Sequence, residues 1–385
     1  MKSLTGYIRP DGRVGIRDLP LVISSVVCAN RVTEMIAGQV PGAVSVIHQH
    51  GCAQLGADRK QTFRVLSGFG ANPNVSCALV VGLGCEAIPA ADLAGAMAAN
   101  GKPVDFINIQ DSGGTLRAAS CGASLLAAMI RAAVPRREPV TWEDIILGIE
   151  CGGSDATSGL AANPACGYAA DLVVEAGGTV ILSETTEMIG AEHLLAKRAR
   201  NEEVAAEIYR IVRETERRAM ATGEDIRGTQ PAPGNIAGGL TTIEEKSLGC
   251  LHKAGTSPVN EVVEYASRPT RRGLVIMDTP GHDVESVTAM VAGGAQIIVF
   301  TTGRGTPTGC PIAPVIKVTG NSATAVAMAD NIDIDASGII SAGEETEEVG
   351  RGILDRCSAV INGEQARAEI LGHREFAIFR TGFSL

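Results

Sequence analysis

Three cysteines of this sequence share one context. Cys52, Cys85 and Cys151 each follow an aliphatic run, sit beside glycine and have a histidine or carboxylate close by. The segments are His48-Gln49-His50-Gly51-Cys52, Gly82-Leu83-Gly84-Cys85-Glu86 and Glu150-Cys151-Gly152-Gly153-Ser154-Asp155. Thiolate, imidazole and carboxylate together suit a borderline transition metal such as Fe(II), Mn(II) or Zn(II). Three thiolates also leave an iron–sulfur cluster open as a reading, although the wide spacing is unlike a ferredoxin run. The opposing reading is three thiols packed under glycine turns, because free cysteine is among the most buried residue types. That opposing reading is the expectation for Cys77, Cys121, Cys166 and Cys357, which lie in apolar surroundings.

His48 and His50 point to the same side of an extended backbone. One can ligate a metal while the other moves a proton near neutrality, or both can satisfy backbone carbonyls in a turn. Arg304, between Gly303 and Gly305, is placed to clamp a carboxylate bidentately, against the alternative of a solvated loop arginine. Lys246 can serve as a second positive group or a base, against the alternative of a helix lysine in solvent. His193, His252 and His373 have no comparable context and are expected to be structural or surface residues. The glycine pairs Gly82-Leu83-Gly84 and Gly303-Arg304-Gly305 are too short for the dinucleotide fingerprint, and no phosphate-loop pattern is present, which counts against NAD and ATP.

These residues need elements to position them. Apolar runs at Leu21–Val27, Ala43–Ile47, Ala78–Val81 and Val104–Ile109 predict strands, followed by helices over Arg31–Gly38, Asp58–Gly68, Ala90–Ala99 and Thr115–Ala133. A second series of strands is predicted at Asp144–Ile149, Thr179–Leu182, Leu274–Met277, Gln296–Phe300 and Val315–Val318, with a long charged helical segment over Ala191–Ala221. Alternating strands and helices imply an α/β fold of two lobes, each a mainly parallel Rossmann-like sheet with helices on both faces. The Pro135–Pro139 stretch is the candidate linker, giving lobes 1–138 and 139–385. In such sheets ligands sit beyond the carboxyl ends of the strands, where nearly every turn of this chain carries polar residues beside glycine. The apolar segment Phe376–Leu385 is expected to dock back on the body.

Composition narrows the partners. The 385 residues carry a formal charge of −10, which argues against nucleic acid or an anionic membrane. An anionic substrate therefore needs a local positive centre. No run approaches the ~20 apolar residues of a membrane helix, and the N-terminus has no signal-peptide core, so the cytoplasm is the expected address. Ten cysteines there are not expected to form disulfides.

The longer motifs carry a resemblance. They are His48–Gly56, Gly82–Glu86, Glu150–Asp155 with Ala162–Pro164, Ser183–Glu192, Pro233–Gly249 and Thr302–Pro307, framed by Gly6–Gly12 and Phe379–Gly382. End to end, the chain resembles the altronate and galactarate dehydratase family. The resemblance implies an iron-dependent hydro-lyase that turns a sugar acid into a 2-keto-3-deoxy acid, with Fe2+ as cofactor and Mn2+ as the alternative. It also implies a separate small SAF-type partner subunit, and a homo-oligomer is expected. The same family includes the large subunit of sulfolactate sulfo-lyase, which expels sulfite instead of water. On this basis His48, Cys52, Cys85 and Cys151 are the expected metal ligands, His50 and Glu187 the acid/base candidates, and Lys246 a further catalytic group. Gln54, Gln110, Asp155, Asn163, Asn235 and Arg304 are the expected contacts to a small anionic substrate. A non-catalytic binding protein is the remaining reading, and the clustered acid/base residues count against it.

Overall fold

The computed structural model describes residues 2–133 and 135–385. A small antiparallel ribbon opens the chain, with β1 (Leu4–Ile8) paired to β2 (Val14–Gly15). The first lobe follows as β3 (Leu19–Ser24), β4 (Val44–Val46), β5 (Val75–Gly82) and β6 (Val104–Asn108), all parallel in the order β4-β3-β5-β6. Strand β5 is almost wholly buried, as its aliphatic run Ala78–Val81 requires of a strand covered on both faces. The segment predicted as a linker instead contains β7 (Arg137–Val140), which pairs antiparallel with β1. Its one proline, Pro139, is tolerated because β7 lies at the edge of this short sheet.

The second lobe is built on seven parallel strands. These are β8 (Ile146–Gly152), β9 (Thr179–Leu182), β10 (Val259–Val263), β11 (Gly273–Met277), β12 (Ile297–Thr302), β13 (Val315–Thr319) and β14 (Ile334–Asp335). Their order is β10-β11-β9-β8-β12-β13-β14, so the winding direction reverses between β8 and β12. The first sheet reverses between β3 and β5. Such reversals open a crevice at the carboxyl edge of a sheet, where ligands bind.

The predicted Ala191–Ala221 helix is two, Glu192–Lys197 and Glu202–Ala221. Asn201 begins the second by accepting a hydrogen bond from the Val204 amide, satisfying one of the free donors at the helix start. Ion pairs Glu207–Arg210 and Glu214–Arg217 lace its solvated side, while Ile208, Ile211 and Val212 face the core.

The lobes share a core. One buried cluster joins Leu21, Val46 and Phe69 of the first lobe to Met277, Ile298 and Phe300 of the second. Helix Gly56–Ala71 approaches helix Asp283–Ala292 so closely that a Cβ on Gly68 would stand 2.4 Å from the Ala292 carbonyl oxygen. Asn72 and Asn74 reach across the seam to donate to carbonyls of Val291, Ala295, Gln296 and Ile312. The C-terminal segment does dock on the first lobe. The amides of Thr381 and Gly382 donate to the buried Asp58 carboxylate, and Leu385 N–H donates to Ala53.

Candidate active site

At the carboxyl edge of the second sheet, Cys151 ends β8 and is 1% exposed. Its sulfur lies 2.8 Å from Glu187 Oε2, 3.4 Å from Cys250 Sγ and 2.9 Å from Lys253 Nζ. Lys253 also donates to Glu184 at 2.7 Å and Glu187 at 2.8 Å, and is itself 1% exposed. A second lysine, Lys246, stands 3.5 Å from the other oxygen of Glu187. Lys246, Cys250 and Lys253 come from helix Ile243–Leu251 and the turn that continues it, at i, i+4 and i+7, so they share one face. Glu184 holds a left-handed backbone (φ 67°), a conformation costly for a residue with a side chain and typical of sites that fix a geometry.

The electrostatics follow from burial and pairing. Burial opposes the Lys253 charge, yet the Cys151 sulfur and the carboxylates of Glu184 and Glu187 hold its pKa well above the ordinary value. Burial would also neutralise Glu187, but Lys253 and Lys246 outweigh it and keep this carboxyl ionised, far below the usual range. Burial and the neighbouring Glu187 charge raise Glu184 to about 7. Burial and the contact with Cys250 push the Cys151 thiol well above its ordinary range, against the pull of Lys253.

A second group backs onto the first. Glu150, Glu184 and Asp283 each bring an oxygen within 4.8 Å of the others. Glu150 accepts from Ser183 and Ser286 through one oxygen, while its other oxygen, fully buried, has no partner. Burial and the facing Glu184 push Glu150 well above the carboxylate range, and burial and Glu187 raise Asp283. A Cβ on Gly152 would stand 2.1 Å from Asp283 Oδ2, so only glycine lets this carboxylate approach β8. The Cys151–Glu187–Cys250 set already has Lys253 as its cation. The carboxylate trio has an orphaned oxygen and mutual repulsion that a divalent ion would relieve. The residues present therefore fit a hard or borderline divalent metal at Glu150, Glu184 and Asp283.

This arrangement differs from the expected ligand set. Among the described residues, no three of His48, Cys52, Cys85 and Cys151 gather their donor atoms within 4.8 Å. His48 spends both ring nitrogens on the backbone, one on the Ser24 carbonyl and the other accepting the His50 amide. Cys52 and Cys85 are exposed on the first lobe, whereas Cys151 is buried in the second. His50, paired with the Ile378 carbonyl, also belongs to the first lobe and not to the lysine–carboxylate cluster. Of the three catalytic candidates, Glu187 and Lys246 do meet.

The expected substrate contacts divide in the same way. Asp155, Asn163, Lys246 and Cys250 line a cavity of about 280 Å3 together with Ser154 and His252. Asn163 shapes its wall with both ends of its amide engaged by protein groups, donating to Gly249 and accepting from Thr301. Asp155 is likewise committed to Thr157, Ser158 and Asn321. Asn235 ties its helix to the Ser154 carbonyl. Arg304 is exposed at the β8/β12 crevice, reaching the Gly234 carbonyl at 3.2 Å, and its backbone amide donates to Gly153. Gln54 is buried against Gly51 and Thr62, and Gln110 stands beside Cys85, so both lie away from this cavity in the first lobe. Sequence reasoning missed Cys250 and Lys253. The i, i+4, i+7 spacing from Lys246 was the signal that could have found them.

Comparison with known proteins is consistent over the whole chain. Residues 6–134 match the family described as D-galactarate dehydratase/altronate hydrolase, second domain. Residues 142–384 match D-galactarate/altronate dehydratase, C-terminal. A (2R)-sulfolactate sulfo-lyase subunit beta of Chromohalobacter salexigens is 36% identical, covering 98% of this chain and 97% of its own. The altronate dehydratase of Bacillus subtilis is 34% identical over 100% of this chain and 79% of its own. The galactarate dehydratase (L-threo-forming) of Escherichia coli is 36% identical over 98% and 76%.

Proposed function

Because the chain belongs to the D-galactarate/altronate dehydratase family and is a lyase, we propose that its second-lobe site removes water from a small sugar acid to give a 2-keto-3-deoxy acid. The observation that carries this reading is Lys246 on the cavity wall with ionised Glu187 directly behind it. A proton next to a carboxylate is weakly acidic, so its removal needs the developing enediolate to meet fixed positive charge. Lys246 supplies that charge at the wall and holds the substrate carboxylate, and Lys253 supports it from beneath. Glu187, which stands behind the wall and does not itself line the cavity, accepts the α-proton through one intervening water. Arg304 at the neighbouring crevice is suited to the distal end of the acid. A divalent cation held by Glu150, Glu184 and Asp283 would add Lewis acidity at the same edge of the sheet.

The same site can expel sulfite in place of water, and the full-length match to a sulfo-lyase subunit supports that as the second reading. That relative's name also supports a multi-subunit assembly, and we propose a separate small partner subunit and a cytoplasmic location for it. No helix among the described residues is long and apolar enough to cross a membrane.

The test is a comparison of keto-acid formation from altronate and galactarate with sulfite release from sulfolactate, using wild type, Glu187→Gln and Lys246→Ala. Glu187→Gln is expected to lower kcat by about 10²–10⁴-fold and to abolish exchange of the α-proton with solvent. Lys246→Ala is expected to raise KM. Wild-type turnover of none of the three acids, or unaltered exchange in Glu187→Gln, overturns the reading.

A further inference from the structure

Cysteine distribution in this molecule is uneven. The five cysteines of the second lobe, Cys151, Cys166, Cys250, Cys310 and Cys357, are buried, as is Cys77, whereas Cys28, Cys52, Cys85 and Cys121 are exposed and all lie in the first lobe. Exposed free cysteines are the exception in folded proteins. Three of these four follow adjacent strands. Cys28 comes after β3, Cys52 after β4 and Cys85 after β5, all at the carboxyl edge, and Cys28 and Cys85 flank the point where the strand order reverses.

The three loops are fastened to one another. Val27 N–H donates to the His50 carbonyl at 3.0 Å, and Ala87 N–H donates to the Gly51 carbonyl at 3.1 Å. Ser25 Oγ donates to Glu86 at 2.7 Å, and the other oxygen of Glu86 accepts from Gly84 N–H. Gly51 (φ 99°) lies so close to the first loop that a Cβ there would stand 2.1 Å from the Ser25 carbonyl oxygen. Each thiol is thus within two residues of a contact linking its loop to another. Neighbouring strands are about 4.8 Å apart, so three adjacent strand ends span roughly 10 Å.

We propose that Cys28, Cys52 and Cys85 form a three-thiolate mouth that holds an iron–sulfur cluster on the first lobe. Spacing selects the class of ligand. Sulfurs binding one ion at about 2.3 Å stand no more than roughly 4.6 Å apart, and among the described residues these three are not gathered within 4.8 Å. A polynuclear cluster bridges the wider opening. With three protein thiolates, a four-iron cluster keeps one iron free of protein ligands. Loading is a ligand exchange without change of oxidation state. Each protein thiol displaces one external thiolate from a preformed cluster and gives its proton to the departing thiolate. This mouth is separate from the second-lobe lysine–carboxylate site and does not depend on the reaction assigned there.

The experiment is anaerobic incubation of the full chain with a preformed four-iron, four-sulfide cluster carrying small thiolate ligands, followed by desalting. Wild type, C121S and C250S are expected to retain iron and acid-labile sulfide in equal amounts, with the broad visible absorption of a cluster. C28S, C52S and C85S are each expected to lose at least ten-fold. In loaded wild type, Cys28, Cys52 and Cys85 should resist alkylation together while Cys121 reacts, a readout that needs no variant to fold. Retention by C28S or C85S equal to wild type, iron without sulfide, or alkylation of the three thiols undiminished by loading overturns the proposal.

Discussion

Lys253 Nζ lies 2.8 Å from Glu187 Oε2, with both groups almost completely removed from solvent. The ammonium is shared with Glu184 and the Cys151 sulfur, so its removal strands more than one partner. Breaking a buried pair from one side typically costs about 3–5 kcal/mol. Lys253→Ala should destabilise the protein by that order in urea unfolding. Adding Glu187→Gln should recover part of the loss, because the coupling energy of the pair vanishes once both charges are gone. Strictly additive losses would show that the pair is not energetically coupled.

The 3.4 Å separation of Cys151 and Cys250 leaves the two sulfurs as neighbouring thiols, short of a bond. Cys250 lines the cavity, so a small thiol oxidant can reach it. Diamide is expected to take up the two hydrogens, link the pair as a disulfide and inactivate the enzyme, with dithiothreitol restoring activity. Peptide mapping checks this. Inactivation without a Cys151–Cys250 linked peptide assigns the damage elsewhere.

Gly152→Ala tests the carboxylate trio. The added methyl must displace Asp283 from β8. Disturbing the support of a metal site commonly weakens binding by about 10–100-fold. Mn2+ titration followed by thermal shift should therefore show a Kd raised at least ten-fold. An unchanged midpoint shift removes Asp283 from the cation site.

Acid should act on the first lobe through His48. Burial lowers its pKa to about 4, aided by His50 and opposed by the bond to Ser24. In the unfolded chain it binds a proton near pH 6.5. The stability that comes from keeping His48 neutral is fully present above pH 6.5 and is lost as pH falls toward 4. Between pH 7 and 5 the loss from this group is on the order of 2 kcal/mol. Urea midpoints of wild type should fall over this interval more steeply than those of His48→Gln, and parallel slopes would exclude His48 as the cause.

Much of the frame was legible in the sequence because buried parallel strands are written as unbroken aliphatic runs. Thr179–Leu182 is a strand over the residues the sequence indicates, and β5, β12 and β13 extend theirs by only a few. The short strands β1, β2, β7 and β14 carry no such run, and the polar face of β10 hides its role at the sheet edge. The site was half legible. Cys151, Glu187 and Lys246 each sit in a motif, and the fold brings them together. Cys52 and Cys85 share the local signature of Cys151, but a strand-end signature does not say which sheet the strand joins. Lys253 carries no local sign of burial, because its partners arrive from β8 and from the turn after β9. Cys28 escaped for a related reason. It follows its strand without an adjacent glycine, and only the pairing of β3 with β4 and β5 reveals its neighbours.

Asp58 is 2% exposed, and its oxygens are met by the amides of Thr381 and Gly382. Those donors lie more than three hundred positions downstream. During synthesis the first lobe therefore emerges with a carboxylate that has no internal donors from that strap, and its docking face stays wet until the strap arrives. Maturation of that lobe is thus timed by translation of the other: a ribosome stalled in the second lobe would present an Asp58 that water, not protein, must satisfy.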